Sequence, residues 1–305
     1  MTFRGLLLQG AVQVPSIVPS CWNRNTTVAH SKATSGYGYI AGPMPEGNTI
    51  HWLARRQSRD FGGRRVRVSS PQGRFAKEAR QLDRGVFLEA EAYGKHLFHR
   101  WQRGAIVHVH LGMAGWFYRH AGVPPPPRPS VRMRLAVPGI ATDLIGPPTC
   151  ELITDEKLEE ILARLGPDPL RKDADPEIAY RNLRRRGRPI ADALLDQKVV
   201  AGVGNIYRAE ALYLAGIRPR RSTLRVTRVE WEKLWRILRD LLRRGAAGGR
   251  IATVEPGEPV HPRARRVPRE DFYVYRQERC RRCGGDIRET VLSARRMFSC
   301  PRCQS

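Results

Sequence analysis

Apolar positions recur along this chain with two different periods, and the change between them divides it. From Asn48 a helix is expected, with Asn48 as its cap and Ile50, Leu53, Ala54 and Phe61 along one face. From residue 64 to 137 the apolar positions alternate instead. Val66 and Val68 are interleaved with Arg; Val131, Met133, Leu135 and Val137 are interleaved with Arg132 and Arg134; and "IVHVHLGM" repeats the pattern. Gly73, Gly85, Gly94 and Gly104 punctuate the runs, and "GVPPPPRPS" reads as a stiff loop. These runs predict an antiparallel sheet domain, built as a sandwich, with basic residues on its solvent side.

After Pro147-Pro148 the text reads as helical. Thr154 caps a helix with Leu158, Ile161, Leu162 and Leu165 on one face, and Asp175-Pro176 is a cap followed by Pro at the first helical position. Leu194, Leu195, Val199 and Val200 end one helix, Gly202-Val203-Gly204 turns the chain, and Asn205 caps the next, which carries Ile206, Ala209, Leu212 and Tyr213. A helix start behind two glycines suits a phosphate, although an ordinary helical hairpin favours the same residues. Thr227 and Glu230 form a capping box ahead of Trp231, Leu234, Trp235, Leu238, Leu241 and Leu242, with Gly245 as the stop. Residues 247–270 read as a Gly/Pro/Arg-rich linker. Residues 1–43 show no sustained period and read as a disordered or mis-assigned leader.

Charge changes the picture. Among 305 residues, 54 are Lys or Arg against 29 Asp or Glu, a formal net charge of +25. The excess is Arg, whose planar fork matches phosphate, and it points to nucleic acid. Genomic base composition would explain Arg over Lys but not the shortage of acids. No run approaches the roughly 18 apolar residues of a membrane span. The first residues make a poor signal peptide, so a cytoplasmic protein, nucleoid-associated through its charge and not bound to membrane, is expected.

Four of the six cysteines form Cys280-x-x-Cys283 and Cys300-x-x-Cys303, separated by sixteen residues. Two-residue gaps let a tight turn aim two thiolates at one point, and the spacer fits a β-hairpin. The reading is one structural zinc in a ribbon; an iron–sulfur site or two disulfides are the alternatives. Arg281, Arg282, Arg288, Arg295 and Arg296 would make the hairpin cationic. Cys21 and Cys150 stand apart and are read as unpaired.

The stretch "GPMPEGNTI" holds Pro45-Glu46. Proline at a true N-terminus is a secondary amine able to attack a sugar C1′, with Glu46 beside it for proton transfer. An internal proline is an amide without that ability, and the stretch alone could be a loop entering a helix.

Taken in order, Pro45-Glu46, "YGKHLF", "VHVHLGM", "DQKVVAGVGNIYRAE" and the four-cysteine ribbon resemble the formamidopyrimidine-DNA glycosylase/endonuclease VIII family of base-excision repair enzymes. The resemblance covers about residues 44–305, and the "PEG" opening is closer to the endonuclease VIII branch, in the manner of an actinobacterial second paralogue. It implies an α+β multidomain protein. An N-terminal antiparallel β-sandwich with flanking helices (44–147) precedes a helix-two-turn-helix DNA-binding domain (148–246), the linker (247–270) and a zinc ribbon (271–305).

The resemblance further implies a monomeric DNA glycosylase and abasic-site lyase acting on oxidised bases, mainly pyrimidines, in duplex, bubble or single-stranded DNA. Pro45 would be the nucleophile forming a Schiff base, followed by β,δ-elimination, and Glu46 its catalytic neighbour. Lys95, His110, Asn205 and Arg295 would hold phosphate, with Arg296 a possible substitute for Arg295, and Met113 would wedge into the gap left by base flipping. The formamidopyrimidine branch's Asp-Pro-Arg-Arg-Phe loop is missing: Thr142 to Pro147 stand in its place. Met44 would be the biological start. If Pro45 stays internal, a damage-binding protein without catalysis follows; charge and cysteines alone would also fit a zinc-ribbon RNA-binding factor.

Overall fold

The computed structural model describes residues 45–264 and 271–305. The leader expected over 1–43 lies outside the described residues.

Helix α1 (Gly47–Phe61) buries Ile50, Leu53, Ala54 and Phe61, as its periodicity requires. Its cap differs from the expectation. Glu46 is the N-cap residue, without a side-chain capping bond, and Asn48 lies inside the first turn, fully buried. The carboxylate of Glu46 is committed elsewhere, as described below.

Eight strands follow: β1 (Arg64–Ser69), β2 (Gly85–Tyr93), β3 (His96–Trp101), β4 (Ile106–His110), β5 (Trp116–Ala121), β6 (Val131–Val137), β7 (Ile140–Ile145) and β8 (Thr149–Ile153). A short helix, α2 (Ala76–Leu82), separates β1 from β2. Their order is β5-β7-β6-β1-β2-β3-β4-β8, antiparallel throughout. Strand β1 belongs to both halves: Arg64–Val66 pair with β2 and Arg67–Ser69 with β6. The halves fold over a common core in which Val66, Phe87, Leu97 and Val109 meet Phe117, Met133, Leu135 and Leu144. The ring of His99 on β3 reaches to 6.3 Å from Phe117 on β5, five places away in strand order. That closure is the expected sandwich, and α1 packs against β2.

Two expectations are corrected here. Arg134 is not on the solvent side: it is buried, and its guanidinium makes a two-pronged ion pair with buried Asp143, 2.5 and 2.6 Å away, while His120 Nε2 lies 2.9 Å from the same carboxylate. Pro147-Pro148 also does not end the sheet. Residues 149–153 form β8, paired to β4, so the sheet passes the boundary expected at 147. Both prolines lie in the link before β8, where no ladder N–H is required of them.

The helical region contains α3 (Asp155–Ala163), α4 (Pro176–Arg184), α5 (Ile190–Leu195), α6 (Asn205–Ala215) and α7 (Arg228–Gly248). Thr154 caps α3, Asp175 caps α4 with Pro176 at the first position, and Thr227 with Glu230 forms the full capping box of α7. Helix α5 ends at Leu195, earlier than expected, and Val199 and Val200 lie in the following turn. Helix α7 runs past Gly245 and stops at Gly249, which adopts the left-handed conformation that glycine tolerates (φ 72°). Gly245 is internal because a Cβ there would fall 2.1 Å from Tyr207 Oη and 2.8 Å from Asn48 Nδ2. It lets α7 press on α6 and α1.

Strands β9 (Arg288–Leu292) and β10 (Arg295–Ser299) form the hairpin expected between the cysteine pairs. Leu292, Met297 and Phe298 share one core with Tyr213, Trp231 and Leu238, so the ribbon rests on the helical region. No helix among the described residues is long and apolar enough to cross a membrane.

Candidate catalytic and nucleic-acid site

The site begins with a close approach of backbones. Gly47 N–H donates to Gly202 O at 2.8 Å, and a Cβ on Gly47 would stand 2.7 Å from Gly202 Cα. A Cβ on Gly94 would stand 3.0 Å from Gly202 N. Three glycines thus bring the start of α1, the β2–β3 turn and the turn before α6 together where no side chain fits between them.

That approach fixes Glu46. Its Oε2 accepts from Gly204 N–H at 2.8 Å and its Oε1 from Ile206 N–H at 2.8 Å. Glu46 therefore does for α6 what Asn205 was expected to do. Asn205 is not the cap; Gly204 occupies that position without a side-chain bond, and Asn205 is the first helical residue. A carboxylate at a helix N-terminus satisfies free N–H groups and meets the positive end of the dipole. Burial nevertheless dominates and raises the Glu46 pKa above its ordinary 4.5, against the lowering effects of Lys95 and of the backbone N–H groups of Ile206, Tyr207 and Gly204. Pro45, beside it, is buried.

Lys95 follows Gly94 in the β2–β3 turn. Its pKa is lowered, first by burial and then by the like charge of Arg295, with Glu46 pulling the other way. Glu46, Lys95 and Arg295 therefore share one electrostatic neighbourhood, although they come from three separate parts of the chain. His110 pairs with His96 across β3 and β4, their rings 5.0 Å apart. Burial, His108 and Lys95 all lower its pKa.

Asn205 donates through Nδ2 to Arg296 O at 3.0 Å, tying the start of α6 to the zinc hairpin, while its buried Oδ1 has no partner among the described residues. The hairpin arginines divide their work. Arg296 pairs with Glu289 across the strands and lies 5.2 Å over Phe298. Arg295 has no ion-pair partner among the described residues and is the arginine electrostatically coupled to Lys95. The turn it follows, Ser293-Ala294, holds both residues at positive φ (49° and 54°), the backbone form of a tight two-residue hairpin.

Met113 is 70% exposed in the turn after β4, where Gly115 N–H bonds to Leu111 O. It takes no part in the core. Thr142 to Ile145 lie within β7, with Asp143 locked to Arg134, and only Gly146, Pro147 and Pro148 link β7 to β8. That link has no room for further wedge residues.

Arg208 was missed by sequence reading. It is fully buried on α6, donates to Ala191 O at 3.2 Å, and leaves Nε and Nη2 without a hydrogen-bond partner among the described residues. Burial lowers its pKa to about 10, with Asp192, Arg295, Glu46 and Tyr275 also acting on it. An arginine at an inward helical position carries no sequence signal of burial, since Arg usually stays exposed.

The four cysteine sulfurs lie within 4.8 Å of one another. Cys283 and Cys300 Sγ are 3.5 Å apart and Cys280 and Cys303 Sγ 3.8 Å, where a tetrahedral zinc with bonds of about 2.3 Å needs about 3.8 Å. The spacing fits one structural zinc and is far too long for disulfides. Tyr213 Oη sits 3.2 Å from Cys280 Sγ, an outer-shell contact suited to a thiolate. A zinc held by the four thiolates would stiffen the hairpin that presents Arg295.

Comparison with known proteins agrees with this geometry. Residues 44–144 match the family model for the formamidopyrimidine-DNA glycosylase N-terminal domain, residues 165–255 the formamidopyrimidine-DNA glycosylase H2TH domain, and residues 277–305 a zinc finger found in FPG and IleRS. The chain is 46% identical over 269 residues to Endonuclease 8 1 of Mycobacterium tuberculosis, covering 86% of this chain and all of the relative. That name carries the number 1, where the opening motif pointed to a second paralogue. It is 32% identical over 273 residues to formamidopyrimidine-DNA glycosylase of Geobacter metallireducens, covering 86% and 100%. The solved complex of Lactococcus lactis Fpg with abasic-site DNA has a TM-score of 0.71 at 22% identity, covering 86% of this chain and 99% of that one, a likeness of fold.

Proposed function

The chain belongs to the formamidopyrimidine-DNA glycosylase/endonuclease VIII family of DNA glycosylases and abasic-site lyases, and we propose that it removes oxidised bases, mainly pyrimidines, through the Pro45 amine. The observation that carries this reading is the fixing of Glu46, beside Pro45, by the N-terminus of α6.

In the proposed reaction the Pro45 nitrogen attacks C1′ of the damaged nucleotide, the bond from C1′ to the base breaks with its electron pair leaving on the base, and the departing base takes the proton that the nitrogen gives up. The sugar ring opens as O4′ takes a proton, and the nitrogen lone pair completes a C=N⁺ bond. Glu46, whose pKa burial raises, is suited to deliver that proton. Loss of a proton from C2′ then breaks the bond from C3′ to its phosphate, and a second elimination releases the 5′ phosphate. Lys95, Asn205 and Arg295 hold the phosphates around the flipped nucleotide, with His110 as a hydrogen-bond partner. Exposed Met113 fills the vacated stack. The single wedge and the short link after β7 favour bubbles and single strands over strict reading of the opposite base.

The mechanism needs Pro45 as a free amine. The match to the N-terminal family model beginning at residue 44 supports Met44 as the functional start, with Pro45 exposed once Met44 is removed. A chain beginning at Pro45 should excise an oxidised pyrimidine from a bubble and nick the strand; intact DNA after alkaline treatment would refute the glycosylase step.

A further inference from the structure

Asp168 stands where the catalytic segments meet, outside every motif named above. Its side chain is 1% exposed. Oδ2 accepts from Gly94 N–H at 2.7 Å and from His51 Nε2 at 2.7 Å, and Oδ1 accepts from Leu170 N–H at 2.9 Å. Each donor belongs to a different piece: Gly94 directly precedes Lys95, His51 lies on α1 behind Pro45 and Glu46, and Leu170 enters the helical region. Gly202, which clasps Gly47, is also at hand; a Cβ there would be 3.8 Å from Asp168 Oδ1.

We infer that Asp168 is a positioning residue for the glycosylase and lyase reaction, locking the turn that carries Lys95 to the helix that carries Pro45 and Glu46. The inference rests on the reading of Pro45 as nucleophile. Asn at this position would keep the shape but replace one acceptor oxygen with an NH2 group that opposes a donor N–H. Releasing the Gly94 peptide lets Lys95 drift, and a misplacement of about 1 Å costs on the order of 100-fold in rate. A buried aspartate that only stabilised its own loop would act on stability and would be indifferent to Lys95.

The test uses the chain beginning at Pro45, with borohydride trapping on abasic DNA under single-turnover conditions, Kd measured alongside. At saturating DNA, D168N is expected to slow trapping roughly 10- to 100-fold, with a Kd raised no further than that of K95A and a lowered but still cooperative melting transition. In a K95A background it should slow trapping by less than about threefold, since coupled sites are not additive. H51A, which removes the donor that α1 offers to Asp168, should follow the same pattern and carries the test should D168N fail to fold. Trapping at the wild-type rate, or equal slowing in both backgrounds, would overturn the inference. Absence of trapping by the otherwise unaltered chain would sink the Pro45 reading and this inference with it.

Discussion

Glu46 and Gly204 are 158 residues apart in sequence, yet the Glu46 carboxylate accepts the Gly204 N–H at 2.8 Å, and a Cβ on Gly204 would fall 2.4 Å from Glu46 Cδ. A side chain at 204 would therefore have to push Glu46 off the helix. G204A should cut trapping by on the order of 100-fold through misplacement. Trapping at the wild-type rate would show that the contact does not matter to chemistry.

Glu46 also trades stability for function. Burial raises its folded pKa above the 4.5 of the unfolded chain, so between these values the native state holds the proton more tightly. Stability from this group is fullest below 4.5 and is lost as pH rises through the folded pKa. E46Q, which never ionises, should melt higher than wild type at pH 8, by about 2–4 °C per kcal/mol of relieved cost. That advantage should shrink towards pH 4, and trapping should fall about 10²- to 10⁴-fold. A lower melting temperature for E46Q at pH 8 would mean that the capping bonds outweigh burial.

His99 gives the opposite pH signature. It is fully buried, with Nε2 2.6 Å from Gln57 Oε1, and burial lowers its pKa from 6.5 to about 3. Below 6.5 the unfolded chain takes up a proton that the folded chain refuses, so stability falls with pH by about 1.4 kcal/mol per unit from this group. H99Q lacks that proton, so its stability deficit relative to wild type should narrow by roughly 2 kcal/mol between pH 6.5 and pH 5. Denaturant titrations check this; parallel curves would contradict it.

Arg295 and Arg296 should separate cleanly. R295A should weaken binding of abasic DNA by about tenfold and lower the slope of log K against log salt by about one unit. R296A loses an exposed pair with Glu289 and should leave both nearly unchanged. Equal effects would mean that the hairpin's net charge, and not a particular contact, drives binding.

The contrast between what the chain reveals locally and what it conceals runs through these residues. Period-two runs at 64–137, the capping box at Thr227, Asp175-Pro176 and the cysteine spacing each depend on neighbours in sequence, and each appears in the structure. Asn205 reads locally as a cap, but a carboxylate from the other end of the chain takes that role for α6, which no local rule anticipates; Asn48 instead lies inside α1, which begins one residue earlier, after Glu46. Gly245 looked like a stop because its reason, room for Tyr207 and Asn48, is tertiary. Asp168 and Arg208 gave no signal, since burial of a charge depends on partners from distant segments. The strand after Pro147-Pro148 was hidden by the prolines that precede it.

Removing zinc separates binding from nucleophile. Chelation, or C300S, should unfold the hairpin and withdraw Arg295, raising Kd for abasic DNA by at least about tenfold. At saturating DNA the trapped adduct should persist, because Pro45 and Glu46 are held by α6 and not by the ribbon. Loss of trapping with binding intact would reverse that assignment.

The most direct measurement compares borohydride trapping on abasic DNA by the full 305-residue chain and by the chain beginning at Pro45, with the adduct located by peptide mass. The account predicts a covalent adduct at Pro45 for the shorter chain and none for a chain in which Met44 still blocks that nitrogen. An adduct on another residue, equal trapping by both chains with the longer one still intact, or no adduct from either would contradict it.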